Sequence, residues 1–421
     1  MLKRLAAALS LVLAVGASLY VHPHLQILFG DQRIAAGWDL KVVCTALDAA
    51  QAGQNPYLTP NIFPLPYPLL HVYLFAPLCT FGDQPMAYEV FYTIVALGSC
   101  ILLWPLVPAR SWDRTILLAA VFLGFQGFYW SLTTGNVAIV ELPLAALTVR
   151  LLAARRYGWA GASFGAMASL KILPLFGVLA FLLLPESRWV RARSIAWACA
   201  GFLGIQLLNA ALFSRWLPSY VADIVGRLPG GGGYEGGGSD NQNTFDFALS
   251  VMGNLGLVQP LPDFALACLG LGLGGWVAVA CARKPQRQRE MMPVAAVSLG
   301  VLVLWLFLFR QKSYAFATYV PFMLAAGYGA GRSTAYVATL ASIIVPAALF
   351  SHILPVPLLQ QYYQLLTAWF VVVVLLVGAV SESEANKAPA DRGAVAGRGA
   401  GQNDDEAPRA LPGEGSLHFG R

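Results

Sequence analysis

The chain has 421 residues, 57% of them hydrophobic and only 11% charged, against about 25% charged in an ordinary soluble domain, and that balance excludes a soluble globular reading. The net charge of +6 resides largely in Arg and Lys of short loops, with no basic stripe interleaved with aromatics, so it speaks for topology and against a nucleic-acid partner. The six cysteines, Cys44, Cys79, Cys100, Cys199, Cys268 and Cys281, are scattered without a CxxC or a histidine at zinc spacing. Neither a metal site nor a disulfide is expected from that spacing.

Apolar runs of membrane-spanning length recur from the N-terminus to about residue 380: 5–21, 86–107, 114–132, 137–154, 194–213, 265–281, 293–309, 315–331, 336–350 and 362–380. Since a span takes about 20 residues, the expectation is an all-α polytopic membrane protein with about eleven to thirteen membrane segments. The opening Met1-Leu2-Lys3-Arg4 before an apolar run resembles a signal peptide, but the many later spans favour a retained first helix with a cytoplasmic start.

The first polar segment, 22–63, follows that helix and is expected on the outer face. Within it Leu40, Val43, Cys44 and Leu47 follow helical spacing, so 39–52 is expected to be a helix lying on the membrane and ended by Gly53. Asp39 opens it. A carboxylate there is either a helix N-cap or a base able to take a proton from a hydroxyl beside a lipid-borne substrate. Nearby stand Trp38, Asn55-Pro56-Tyr57 and Tyr67-Pro68. Residues 66–81, rich in proline, suit an incomplete or re-entrant span.

Arg150, Arg155 and Arg156, then Arg188, Arg191 and Arg193, then Arg283, Lys284, Arg287 and Arg289 all mark cytoplasmic loops. Two consecutive cytoplasmic clusters flank 159–184. Either that segment enters and returns as two half-helices broken near Lys171 and Pro174, which is the expectation, or one arginine cluster violates the rule. Lys171 stands among apolar residues in Ser169-Leu170-Lys171-Ile172-Leu173-Pro174. An intramembrane ammonium is either functional, suited to a phosphate, or snorkels to the interface.

Arg310 and Lys312 sit on an expected outer turn, against the usual charge bias, which calls for an anionic partner such as a lipid phosphate. Glu89 and Glu141 are expected to pair with arginines inside the bundle. The glycine run of 230–238 lacks the Lys-Ser/Thr ending of a nucleotide loop and is expected to be a linker or lid. The stretch 381–421, rich in Ala, Gly, Pro and mixed charge, reads as a disordered cytoplasmic tail behind a membrane domain of 1–380.

Taken in order, Asp39, Asn55-Pro56-Tyr57, Tyr67-Pro68, Gly135-Asn136 and Lys171-Ile172-Leu173-Pro174 resemble glycosyltransferase family 87, polytopic bacterial enzymes of the GT-C superfamily. The resemblance extends over about 1–381. It implies a GT-C-like bundle with a surface helix in the first outer loop, an active site on the outer face of the bacterial inner membrane, and transfer of a sugar from a polyprenyl-phosphate donor, mannose in the best understood members, to a lipid or glycan acceptor. It also implies that Asp39 is the general base. Asn241-Gln242 resembles a polar pair before a later span. Two departures stand out: Ala138 replaces an asparagine two residues after Asn136, and no histidine follows the span ending near Arg310.

The expected chemistry is inverting transfer with Asp39 as base, and with Lys171, Arg310 and Lys312 binding the donor phosphate. Trp38, Tyr57, Tyr67, Asn136, Asn241 and Gln242 are the candidate substrate-binding residues. No metal and no other cofactor is expected, since Asp39 has no nearby partner at ligand spacing; one carboxylate suffices, because a phosphate leaving group already carries charge and needs no protonation. The competing class is a transporter or lipid flippase, which also explains a broken helix and a buried lysine. It leaves the long first outer segment with its carboxylate without a role.

Overall fold

A computed structural model of the chain describes residues 37–59, 65–81, 84–106, 131, 134–226, 247, 251, 272, 293–307, 313–329 and seven single positions between 362 and 373. All belong to the unit Met1–Gly378; the expected tail falls in Ala379–Arg421 and lies outside the described residues. So do the expected spans 5–21 and 336–350, all but residue 131 of the span 114–132, all but residue 272 of the span 265–281, and the glycine run of 230–238. The regular elements among the described residues are all helical, with no strand.

Helix α1 is Trp38–Gln51. Two short helices follow, α2 Leu69–Leu74 and α3 Ala76–Cys79, interrupted at Phe75 where Pro77 cannot continue the ladder. This matches the incomplete span expected from the prolines. Helix α4, Gln84–Leu103, runs into a 3-10 turn at Trp104–Leu106. A second 3-10 turn, Val137–Val140, leads into α5, Glu141–Ala153.

The arginine-flanked segment has the broken form its charge pattern demanded. Helix α6, Tyr157–Ala168, ends at Ser169, and the chain returns as a 3-10 arm, Leu173–Leu183. Contacts fix the direction: Phe164 meets Phe181, a side chain at Gly177 would touch Phe164, and Tyr157 reaches Glu186. The two arms are therefore antiparallel, with Lys171 in the turn between them. The arm's Pro174 carbonyl, which faces a broken ladder, accepts a bond from Trp305 Nε1 at 3.1 Å. That answers the requirement that freed backbone groups find partners away from water.

Helix α7, Arg188–Leu212, then runs parallel to α6. Gly161 and Gly165 of α6 lie directly on the backbone of Ser194 and Ala198, and Gly201 of α7 on Ala162. Small residues four apart permit this approach, and any side chain there would collide with backbone. Helix α8, Leu217–Gly226, follows a 3-10 turn. Helices α9, Pro293–Leu306, and α10, Tyr319–Gly329, complete the described core. Trp305 sits at its centre, against Phe164, Tyr319 and Phe322.

Among the described residues one helix, α7, is long and apolar enough to cross a membrane, and several shorter apolar helices accompany it. Two of these elements carry apolar residues outward. On α4 they form a stripe at helical spacing: Val90, Ile94, Leu97 and Ile101 are 56 to 72% exposed. On α7 the exposed residues include Leu203, Leu207 and Leu212.

Two expectations are corrected. Helix α1 is no surface helix resting on lipid, because Leu40, Val42, Val43, Cys44, Ala46, Leu47 and Ala49 are buried in protein, leaving Lys41, Asp48 and Gln51 outside. And Cys44 is joined to Cys79 by a disulfide that ties α1 to α3. The spacing along the chain concealed this pair because its geometry depends on how two helices meet, not on sequence distance.

Candidate functional site

Asp39 lies in the first turn of α1. The N-cap is Gly37, in the left-handed conformation at φ 76°, with no side-chain cap, so Asp39 is not the capping residue. Its position still suits a carboxylate, since the N-terminal end of a helix presents partial positive charge. The helix closes as expected: Gly53 N–H donates to Ala50 O and Gln54 N–H to Ala49 O, the paired bonds of a glycine-ended helix.

The turn carrying Gly135-Asn136 packs on this helix start. Gly135 has φ 69°, and a Cβ on it would stand 2.9 Å from Leu40 Cβ and 3.2 Å from Gly37 Cα. Conformation and space thus both require glycine. The reward is the next residue: Asn136 Nδ2 donates to Asp39 Oδ2 at 2.7 Å. Asn136 is itself only 1% exposed. Its backbone is pinned by the Tyr88 hydroxyl, 2.8 Å from Asn136 O and 3.0 Å from Ser131 O.

Around this pair several other sequence-predicted residues gather. Tyr67 OH stands 3.5 Å from Asn136 Oδ1, at the long limit of a hydrogen bond. Tyr57 OH donates to Tyr67 O at 3.2 Å. Asn55 turns the chain by accepting from Tyr57 N–H at 3.0 Å, while its amide reaches Ser219 of α8 at 2.7 Å. Lys171, at the hairpin tip, holds its Nζ 5.8 Å from the centre of the Tyr67 ring. Asp39, Asn136, Tyr67, Tyr57 and Lys171, spread over more than 130 positions of sequence, therefore occupy one neighbourhood.

Tyr57 and Tyr67 are 5% and 4% exposed. Tyr57 packs on Tyr220 at 5.6 Å and Tyr67 lies beneath Lys171, so in this structure both rings brace the site from behind instead of standing open to a sugar. Burial drives the Tyr57 phenol well above its ordinary pKa, helped by the neighbouring Tyr220, and burial pushes Tyr220 up to about 12. Both hydroxyls thus stay protonated donors through the working pH range. Trp38 is partly buried at the first position of α1. Arg310, Lys312, Asn241 and Gln242 lie outside the described residues, as does the side chain of Glu89.

Several supporting residues escaped the sequence reading. Gln206 of α7 donates to Ser169 O at 2.9 Å and accepts from Tyr220 OH at 3.3 Å, anchoring the hairpin tip. His71 Nε2 lies 3.4 Å from Ser169 Oγ. Asn209 of α7 accepts from Leu70 N–H at 3.0 Å. Glu141 is buried, and the cation it interacts with is Lys171 rather than an arginine, which corrects the expected pairing. Only Tyr88 carried a usable signal, as a polar tip within an apolar run; the rest are set by packing between distant helices.

The arrangement offers a half-buried carboxylate aimed by an amide, and an ammonium on a rigid turn in the same neighbourhood. That pairing suits removal of a proton from one reactant and stabilisation of negative charge on another. No curated protein and no solved structure matches the chain. A family model does, that of glycosyltransferase family 87, over residues 65–310. The match is narrower than the expected 1–381 and begins after Asp39, but it takes in Tyr67, Asn136, Lys171 and Arg310. With more than half of its length matched, and with the resemblance read from its motifs in agreement, the chain belongs to glycosyltransferase family 87.

Proposed function

We propose that this glycosyltransferase is a multi-pass protein of the bacterial plasma membrane that transfers a sugar, mannose in our reading, from a polyprenyl-phosphate donor to a cell-envelope glycolipid or glycan on the outer face. The observation that carries the mechanism is the 2.7 Å bond from Asn136 Nδ2 to Asp39 Oδ2. It aims a carboxylate with a buried amide held on a turn that tolerates only glycine. In the proposed step Asp39 takes the proton of the acceptor hydroxyl, the hydroxyl oxygen bonds to the anomeric carbon, and the bond from that carbon to the phosphate oxygen breaks with inversion. The polyprenyl phosphate leaves as an anion, and Lys171, with Arg310 and Lys312, offsets its charge.

Two features support the outer-face placement. The arginines at the start of α7 and the network around Asn209 and Gln206 lie at opposite ends of that helix, so arginines held in the cytoplasm put Asp39 outside. The Cys44–Cys79 disulfide ties α1, the helix that bears Asp39, and disulfides persist in oxidising compartments. The outward apolar stripes on α4 and α7 suit lipid contact.

The test is transfer by purified protein in nanodiscs, given a polyprenyl-phosphate sugar and candidate lipid acceptors. Asp39→Asn should cut turnover about a hundredfold or more while donor binding persists. Lys171→Gln should weaken donor binding about tenfold or more by removing a charge-assisted contact. An Asp39→Asn protein working at the wild-type rate removes the general base. Movement of labelled lipid across the bilayer with no bond cleaved removes the mechanism altogether.

A further inference from the structure

At the arginine end of the hairpin, about 18 Å from the Lys171 turn by the length of the twelve-residue α6, lies a cavity of about 520 Å³. Arg155, Arg156 and Arg193 line it together with Tyr157, Trp159 and Trp197. Two arginine clusters far apart in sequence are thus brought to one opening. The parallel course of α6 and α7 does this, since both helices begin there. The two tryptophans stack at 5.7 Å and remain 64% and 40% exposed, which is unusual for side chains of that size. Glu186, in the link between the 3-10 arm and α7, accepts a bond from the Tyr157 hydroxyl at 2.9 Å.

The backbone supplies a separate observation. Arg155 ends α5 in the left-handed conformation, φ 56°, as the one non-glycine residue with positive φ among those described. Its N–H donates to Leu152 O, and that of Arg156 to Leu151 O. This is the helix ending that glycine serves best. Keeping an arginine in a glycine position costs stability, and such strain persists where the side chain has a use.

We propose that this cavity binds the headgroup of an anionic phospholipid from the leaflet opposite the Asp39 face. The proposal rests on the membrane reading above and concerns a site separate from the transfer chemistry. The arginines meet the phosphate, and the exposed tryptophan pair takes the glycerol and upper acyl region, as aromatic side chains do at a membrane interface. An anion without a lipid tail would leave the tryptophan wall unused. That decides for a lipid over free phosphate.

The test uses full-length protein purified in neutral detergent and native mass spectrometry with phosphatidylglycerol or phosphatidylcholine of matched chains. Phosphatidylglycerol should be retained preferentially, and Arg155→Gly and Arg193→Gln should each lower its retention about threefold or more, partly exposed cations being worth less than buried ones. Arg155→Gly should at the same time hold or raise the thermal midpoint, since glycine suits that backbone, which separates lost binding from lost folding. Arg193→Gln gives a second reading free of any backbone change. Equal retention of the two lipids, or unchanged retention in the double variant, overturns the proposal. So does inorganic phosphate alone, at millimolar concentration, stabilising the protein as much as phosphatidylglycerol does. The membrane reading fails separately, if alkaline carbonate frees the protein from cell membranes.

Discussion

Replacing Asn136 by alanine removes the contact that aims the proposed base. The Asn136 carbonyl is what Tyr88 holds, so the turn keeps its backbone anchor, while Asp39 loses the 2.7 Å amide donor and Tyr67 its long 3.5 Å contact with the same side chain. A hydrogen bond to a charged group contributes about 1.5 to 3 kcal/mol. Asp39 is half-buried, so water partly replaces the amide, and the lower figure of about 1.5 kcal/mol applies. Turnover should therefore fall about tenfold to a hundredfold through lost support and misaim of the carboxylate. KM for the acceptor should hardly change, since Asn136 acts through Asp39. Steady-state transfer assays on purified Asn136→Ala measure both quantities. A variant with unchanged turnover and a raised acceptor KM would refute the positioning role and make Asn136 a direct binding residue.

Gly135→Ala should destabilise the protein by more than about 1 kcal/mol, because it combines positive φ with a Cβ 2.9 Å from Leu40 Cβ; a thermal midpoint within a degree of wild type would count against the tight turn. Cys44→Ser, which opens a 35-residue separation, should cost about 3 to 4 kcal/mol by the chain-entropy account and loosen α1. Wild-type protein from the cell envelope should correspondingly show Cys44 and Cys79 blocked to thiol reagents until reduced. Labelling before reduction would remove the disulfide and weaken the case for the outer face.

The broken hairpin was legible because charge bookkeeping is a global constraint: with two arginine clusters on one side, 159–184 turns back unless a cluster breaks the rule. Asp39, Tyr67, Asn136 and Lys171 were legible as a set through the order of their motifs, and Lys171 also as an ammonium that an apolar segment carries at a cost. Their assignments were less so. Hydrophobic spacing shows that one face of α1 is apolar but not whether lipid or protein covers it, and protein does. The Cys44–Cys79 bond, the Glu141–Lys171 interaction and the Gln206–Ser169 anchor depend on which helices meet, and periodicity along one helix carries no such information. Gly37, which holds the capping position for which Asp39 was also a candidate, shows the same limit at the scale of two residues.

The hairpin's reach has a consequence for turnover. Its tip is level with Gln206, six residues before the end of α7, which sets Lys171 about 9 Å short of that end. On the proposed mechanism, a phosphate drawn to Lys171 must pass the end of α7 to reach it, and the attraction that brings it in also opposes the escape of the polyprenyl phosphate once the sugar has gone. Lys171→Gln should then speed release of the spent carrier even as it weakens donor binding.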